Sequence, residues 1–398
     1  MNSNIKTLAR IASKKTRVIV GLMSGTSLDG LDVALCKISG VGKSTRVVLS
    51  RFHTVPYTED VKNRVREVFA KQQVNFQRLC ELNAWVGSLH GEMVLHCLKR
   101  WKVKPVSIDV IASHGQTVFH SPKAITDGAS IDSTFQAGDG DHVAVKTGII
   151  TMSDFRQKHI AAGGEGAPLA VYGDYLLFSK KGEDRIMLNI GGIANFTYLP
   201  GSLDATKVFV TDTRPGNTLI DQAVQRYKPG VHFDKDSNIA RSGKINDDLL
   251  KELLEDKFFQ LPFPKTTGPE LFNMGYVQQA LDRTDATSLS LEDLLATLTR
   301  FSAETIARAI QHTIKSKKGT KIYLSGGGAH NPLMLTWIKA LLPNVEFHQT
   351  GELGISGDAK EAVLFAVLAN ESLAGGKLKF GNRSKVPTVS MGKVSFPV

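Results

Sequence analysis

Two stretches of this chain repeat one pattern, and the repetition limits the folds open to it. Thr16 to Ser24 is β-branched and apolar, and after a loop Leu31, Val33 and Leu35 alternate with Asp32, Ala34 and Cys36. Much later, Ile186 to Asn189 and Phe196 to Leu199 flank a second loop, with a third short strand at Val208 to Val210. Each stretch reads as strand, tight glycine-bearing loop, strand. The expectation is two mixed α/β halves, each opened by its own hairpin, with a cleft that clamps a phosphate chain from both sides.

Helical patterns fill the intervals. Thr58 can cap a helix with Val61, Val65, Val68 and Phe69 on one face, and Leu82, Val86, Leu89 and Met93 mark another that ends near Trp101. A strand at Val110 to Ala112 runs into His114. In the second half a helix spans Thr218 to Tyr227, and a long one, capped by Ser290, carries Leu291, Leu294, Leu295 and Leu298. A strand at Lys321 to Leu324, glycines, a helix from Pro332 to Leu342 and an apolar helix from Ala359 to Ala369 complete the pattern. A first domain is expected over 1–150, with 355–398 returning to it, and a second over 151–354.

Charge decides little about partners. The chain has 49 basic and 38 acidic residues, a net +11. Ten of those charges sit in two acid-free ends: Lys6, Arg10, Lys14, Lys15 and Arg17, then Lys377, Lys379, Arg383, Lys385 and Lys393. The body is near neutral, so the ends are expected to be solvated tails and no nucleic-acid partner is expected. No apolar run approaches the ~18 residues of a membrane helix, so no membrane span is expected. Cys36, Cys80 and Cys97 form no CxxC and leave an odd thiol, which points to a reducing, cytoplasmic compartment.

Three motifs carry chemistry. In Met23-Ser24-Gly25-Thr26-Ser27-Leu28-Asp29-Gly30-Leu31-Asp32, glycines let backbone approach a ligand, hydroxyls and N–H groups donate to phosphate oxygens, and Asp29 or Asp32 can hold a hydrated Mg²⁺. A GK[ST] sequence is absent and a strand follows, so this is no Walker loop. The bland alternative is a structural hairpin turn. Asp212-Thr213-Arg214-Pro215-Gly216-Asn217 puts an acid at a strand end, where it can act as a general base, with Asn217 placed to cap the next helix. A helix-entry cap is the commoner fate of such an Asp. Ser325-Gly326-Gly327-Gly328-Ala329-His330-Asn331 offers a backbone shelf for an adenine, or a plain βα turn. Arg156 in Asp154-Phe155-Arg156 offers a guanidinium to an oxygen-rich ligand, and Glu361 opens a helix, where a carboxylate also suits the dipole.

Taken in order, MSGTSLDGLD, SHGQT, SDFR, GAPL, NIGGIAN, DTRPGN, Pro264-Lys265-Thr266-Thr267-Gly268, SGGGAHNP and GISGD followed by Glu361 resemble the anhydro-N-acetylmuramic acid kinase family, a branch of the actin/hexokinase/Hsp70 kinase fold. The resemblance runs from about Val18 to about Ala369. It implies an α/β protein of two RNase H-like (actin-like ATPase) domains flanking a nucleotide/sugar cleft. It also implies a cytoplasmic, homodimeric enzyme of peptidoglycan recycling. Such an enzyme uses ATP and Mg²⁺ to open the 1,6-anhydro ring of anhydro-N-acetylmuramic acid with water while phosphorylating the 6-oxygen. Carried over by motif, Asp212 is the base, and Arg156 and Glu361 hold the sugar. Gly25, Thr26, Ser27, Leu28, Asp29, Gly30, Leu31 and Asp32 bind ATP phosphates, with Asp29 toward Mg²⁺ through water. Asn189, Gly191 and Gly192 join the nucleotide site, and Gly326, Gly327 and Gly328 its adenosine side.

Arg214, Pro269 and Glu165 stand where the family pattern has Gly, Arg and Gln, which bears on fine specificity more than on reaction class. The other readings are a kinase for an anhydrosugar without the lactyl group, such as levoglucosan, and a nucleotide-binding scaffold that has lost turnover.

Overall fold

The computed structural model describes the chain except residues 124, 125, 127, 214, 262, 266–271, 285, 287, 315–318, 377, 378 and 381–385. Arg214, Pro269, the Thr266 to Gly268 segment and the tail residues Lys377, Arg383 and Lys385 thus lie outside the described residues. The strands are β1 (Thr16–Ser24), β2 (Gly30–Ser39), β3 (Arg46–Pro56), β4 (Val110–Ser121), β5 (Ser133–Ala137), β6 (Thr151–Ser153), β7 (Arg185–Ile190), β8 (Ala194–Leu199), β9 (Phe209–Asp212), β10 (Lys321–Ser325), β11 (Glu346–Gln349) and β12 (Lys393–Ser395). The α-helices are α1 (Ser3–Ala12), α2 (Glu59–Arg66), α3 (Phe76–Arg100), α4 (Gly140–Thr147), α5 (Phe155–Ala161), α6 (Ala170–Phe178), α7 (Thr218–Tyr227), α8 (Asp247–Leu254), α9 (Met274–Arg283), α10 (Leu291–Thr313), α11 (Pro332–Leu341) and α12 (Lys360–Ala374).

Two compact units result: Met1–Phe178 with Gly354–Val398, and Ser179–Leu353. The first extends past residue 150 because β6 pairs in parallel with β4, Ile111 opposite Thr151, and because α6 packs on α12. Its sheet runs β12-β6-β4-β1-β2-β3, with β5 paired to β4. The sheet of the second unit runs β11-β10-β7-β8-β9. Strand directions match. In each sheet an antiparallel meander (β1-β2-β3, β7-β8-β9) is followed by two strands parallel to its first (β4 and β6, β10 and β11). That shared order is the RNase H-like arrangement, present once in each unit.

Burial follows from the pleat. Val20 and Leu22 of β1, with Leu31, Val33 and Leu35 of β2, pack against Val94, Cys97 and Leu98 of α3 and Val143 of α4. The opposite residues, Ala34 and Cys36, are buried too, so β2 is covered on both faces rather than half-exposed as its alternation implied. In the second unit Ile186, Leu188 and Phe196 pack with residues of α7, α10 and α11, including Leu219, Phe301, Ile306 and Ile338. Thr58 and Ser290 cap their helices as expected, accepting from the amides of Val61 (3.4 Å) and Asp293 (3.1 Å).

The ends of the chain are not solvated tails, and here the sequence expectation is corrected. α1 is a helix whose Ile11 is buried, and β12 pairs antiparallel with β6, Ser395 opposite Thr151. At the amino-terminal end the partner is Asp109, a carboxylate at 8% side-chain exposure that needs partners of its own. It accepts from Lys14 Nζ at 2.5 Å and from the Val18 amide at 2.9 Å. Arg17, also buried, donates from Nε to Asn370 Oδ1 at 2.7 Å and from a terminal nitrogen to the carbonyls of Ala12 and Lys14. A net charge says nothing about which charges find partners. Among the described residues no helix is long and apolar enough to cross a membrane.

Candidate functional site

In the first unit the functional side chains collect at the carboxyl-terminal end of β1. Register places Met23 opposite Asp32 and Ser24 opposite Gln116, so the 25–29 loop lies beside the His114 to Gln116 stretch of β4. Ser24 is not available to a ligand. Its hydroxyl lies 2.6 Å from Gln116 Oε1, 2.9 Å from the Tyr57 hydroxyl and 3.1 Å from the Gly30 carbonyl. Gln116 Nε2 donates to the Gly25 carbonyl at 3.0 Å, and the Tyr57 hydroxyl meets His90 Nε2 at 2.7 Å. This buried network pins both ends of the loop. Leu28, at φ +60°, anchors its middle in a cluster with Val65, Val68 and Val118. Leu28 and Leu31 therefore have only backbone to offer a ligand, while Thr26, Ser27 and Asp29 are exposed.

Acidic charge gathers beside this loop. Asp32 Oδ1 accepts from Thr54 Oγ1 at 2.5 Å. Burial raises its pKa above the ordinary value against that hydrogen bond, and Asp358 and Asp29 push it further up. A phosphate chain near three carboxylates requires a cation between them. Among the described residues no group of three or more His, Cys, Asp or Glu is arranged to hold a metal directly. A Mg²⁺ that keeps most of its waters needs only one or two carboxylates plus phosphate oxygens, so Asp29 and Asp32 fit it.

Arg156 and Glu361 belong to the same unit. Arg156 lies in the first turn of α5, just after β6, and Glu361 in the first turn of α12. Arg156 donates from Nε to His114 Nε2 at 2.9 Å and from a terminal nitrogen to the Gly166 carbonyl at 2.7 Å. Burial lowers its pKa to about 10, with Glu361 acting the other way. Glu361 is open to solvent, yet the surrounding protein desolvates its carboxylate enough to raise its pKa, opposed first by Arg156 and then by Lys360. Lys360 itself pairs with the buried Asp174 at 2.9 Å.

Two histidines hold this arrangement: His114, which the sequence offered only within the SHGQT motif and with no role, and His159, which did not stand out. His114 is buried, and burial together with Arg156 drives its pKa well below the usual value. The fully buried His159 accepts the Gly166 amide on Nδ1 at 3.0 Å and so fixes the carbonyl that Arg156 uses. The signal for His159 was only its place beside Asp154-Phe155-Arg156, with no metal-ligand spacing.

The second unit carries a polar row across four strands. Ser325 of β10 lies opposite Asn189 of β7, Asn189 opposite Asn195 of β8, and Asn195 opposite Asp212 of β9. Paired residues share a face, so Asp212 ends a continuous polar line at the carboxyl-terminal edge of β7 and β10. Asn195 is the member that motif reading did not select. Beyond Asp212 the chain folds back on the β7–β8 hairpin. The amides of Gly216 and Thr218 bond to the Gly192 carbonyl at 3.0 and 3.1 Å, and the Asn217 amide to the Gly191 carbonyl at 2.8 Å. Asn217 makes no side-chain cap, contrary to expectation: its backbone is already helical (φ −86°, ψ −15°) rather than extended as a capping residue usually is.

Of the three glycines after β10, Gly326 and Gly327 are exposed and Gly328 is buried. A Cβ on Gly328 would stand 2.2 Å from Ile190 Cγ2. Packing on β7 explains that glycine, and the open backbone of Gly326 and Gly327 is the part that can receive a ligand.

A family model described as anhydro-N-acetylmuramic acid kinase matches residues 17–381. A curated protein of that name from Pseudoalteromonas atlantica is 54% identical over 400 residues, covering 100% of both chains. Another, from Caldanaerobacter subterraneus subsp. tengcongensis, is 40% identical over 393 residues, covering 98% of this chain and 99% of its own.

Proposed function

The chain belongs to the anhydro-N-acetylmuramic acid kinase family, and from that premise we propose that it phosphorylates 1,6-anhydro-N-acetylmuramic acid with ATP while water opens the anhydro bridge. The product is N-acetylmuramic acid 6-phosphate, with ADP, in the cytoplasmic recycling of peptidoglycan, and the enzyme acts as a homodimer. The supporting observation is Asp212: a half-buried carboxylate ending a strand whose backbone is bonded on both sides.

Asp212 takes a proton from water as the water oxygen attacks the anomeric carbon. The bond from that carbon to the bridging 6-oxygen breaks, and its electron pair forms the new bond from the 6-oxygen to the γ-phosphorus as ADP leaves. The proton on Asp212 then passes to solvent. Arg156 and Glu361 hold the sugar hydroxyls and lactyl group. The 25–32 hairpin orients the phosphates through the backbone and the hydroxyls of Thr26 and Ser27, and Gly326 and Gly327 receive the adenosine side. Asp29 and Asp32 are the residues that would hold Mg²⁺ through water, and the ion would supply neutralisation of charge on the phosphates.

The test is ADP release with ATP and Mg²⁺ in the presence of anhydro-N-acetylmuramic acid, levoglucosan or no sugar. Turnover with the muramic sugar, reduced ~10²–10⁴-fold in Asp212→Asn with nucleotide binding intact, is the expected result. Turnover with levoglucosan alone would move the substrate. No sugar-dependent release would leave a nucleotide-binding scaffold.

A further inference from the structure

Among the described residues β9 is the outer strand of its sheet, with no other strand on the second side of the strand that ends in Asp212. That side is occupied instead by Lys265. The Asp212 amide donates to the Lys265 carbonyl at 2.9 Å. Thr211 Oγ1 accepts from the Lys265 amide at 3.1 Å and lies 3.3 Å from its carbonyl. The last two residues of β9 are thus fixed by β8 on one side and by a single lysine backbone on the other.

The Lys265 side chain is 7% exposed, an unusual place for an ammonium. Its Nζ donates to the carbonyl of Phe258 at 2.9 Å and lies 3.3 Å from that of Phe259. The rings of Phe258, Phe263 and Phe259 surround it at 4.5, 4.8 and 5.8 Å. Among the described residues no carboxylate pairs with it. An ammonium held by two carbonyls and three aromatic faces is a fixed point, because leaving the cage would strand two buried acceptors.

We infer that Lys265 is the positioning residue for Asp212: the caged ammonium anchors the Lys265 backbone, and that backbone sets the height and direction of the carboxylate at the end of β9. The inference rests on Asp212 being the base. It assigns no contact between Lys265 and substrate. A displacement of about 1 Å in such a group can cost ~10²-fold in rate, so the anchor acts on kcat rather than on ligand affinity.

The experiment compares Lys265→Met, Thr211→Val, Thr211→Ser and Asp212→Asn in the ADP-release assay, with KM for ATP and for the sugar measured separately. Lys265→Met is expected to lower kcat ~10²-fold with both KM values within about twofold. Thr211→Val, which removes only the bridging hydroxyl, is expected to lower kcat ~10-fold, and Thr211→Ser to restore most of that loss. Should Lys265→Met fail to fold, the Thr211 pair decides alone. Wild-type kcat in Thr211→Val, or a loss that Thr211→Ser does not rescue, overturns the inference. Full activity in Asp212→Asn would instead remove the reading beneath it, a result distinct from an inactive Asp212→Asn beside a fully active Lys265→Met.

Discussion

His114 Nε2 accepts the Nε–H of Arg156 at 2.9 Å while its Nδ1 meets the Gly115 carbonyl at 2.8 Å. A carbonyl can only accept and a guanidinium can only donate. The ring is therefore neutral and carries its proton on Nδ1. One edge of Arg156 is occupied in this way, and Gly166 takes a second donor.

Replacing His114 by Phe keeps a ring against Phe365, whose centroid lies 4.7 Å away, and removes the acceptor. The expected result is a rise of ~10-fold in KM for the sugar, about 1.4 kcal/mol, with KM for ATP unchanged. Steady-state kinetics at saturating ATP reads this directly. Equal effects on both substrates would show that His114 supports the fold and not the orientation of Arg156.

The acid limb of activity should follow Glu361. Desolvation by the surrounding protein raises its pKa above 4.5, and Arg156 and Lys360 pull it back down. Its ionised form is the one that accepts sugar hydroxyls, so kcat/KM should fall with acid at a higher pH than an ordinary glutamate would give. Lys360→Met removes a positive charge that holds the Glu361 pKa down, so that pKa rises further. The limb should then move to higher pH, and a pH profile in which it stays or moves down refutes the assignment. The stability sign agrees: a carboxyl with a raised folded-state pKa favours the fold when protonated, and that contribution is lost as pH rises through the folded value.

Gly216 and Gly191 should respond differently to alanine. A Cβ at 216 would stand 2.1 Å from the Gly191 carbonyl oxygen, a backbone atom that already holds the Asn217 amide. At 191 the nearest atom would be 3.5 Å away. Gly216→Ala is expected to cost about 1–3 kcal/mol in urea unfolding and Gly191→Ala well under 1 kcal/mol. Equal midpoints would show that the hairpin gives way more easily than its packing implies.

What could be read from the chain was local. Both hairpins, the caps at Thr58 and Ser290 and the strand-end position of Asp212 follow from patterns a few residues long. The missed features depend on distant partners. Lys14 meets an acid 95 positions away, His114 meets Arg156 42 positions on, and Thr211 meets Lys265 54 positions on. Three-residue strands such as β6 and β12 are too short to show alternation. Asn217 failed as a cap because contacts with the distant Gly191–Gly192 hairpin accompany a helical backbone at that position, which no propensity reports.

The first unit is assembled from both ends of the chain, and this sets an order of events during synthesis. Its sheet lacks β12, and β1 lacks the helix α12 against it, until residues after Gly354 have left the ribosome. The second unit is one continuous stretch, Ser179 to Leu353, and its sequence emerges complete before then. Domains generally fold in the order they are made. Here the later-encoded unit can finish first, and a released chain truncated after residue 354 would carry a complete second unit and a first unit with its apolar sheet face uncovered, a ready target for chaperones and proteases.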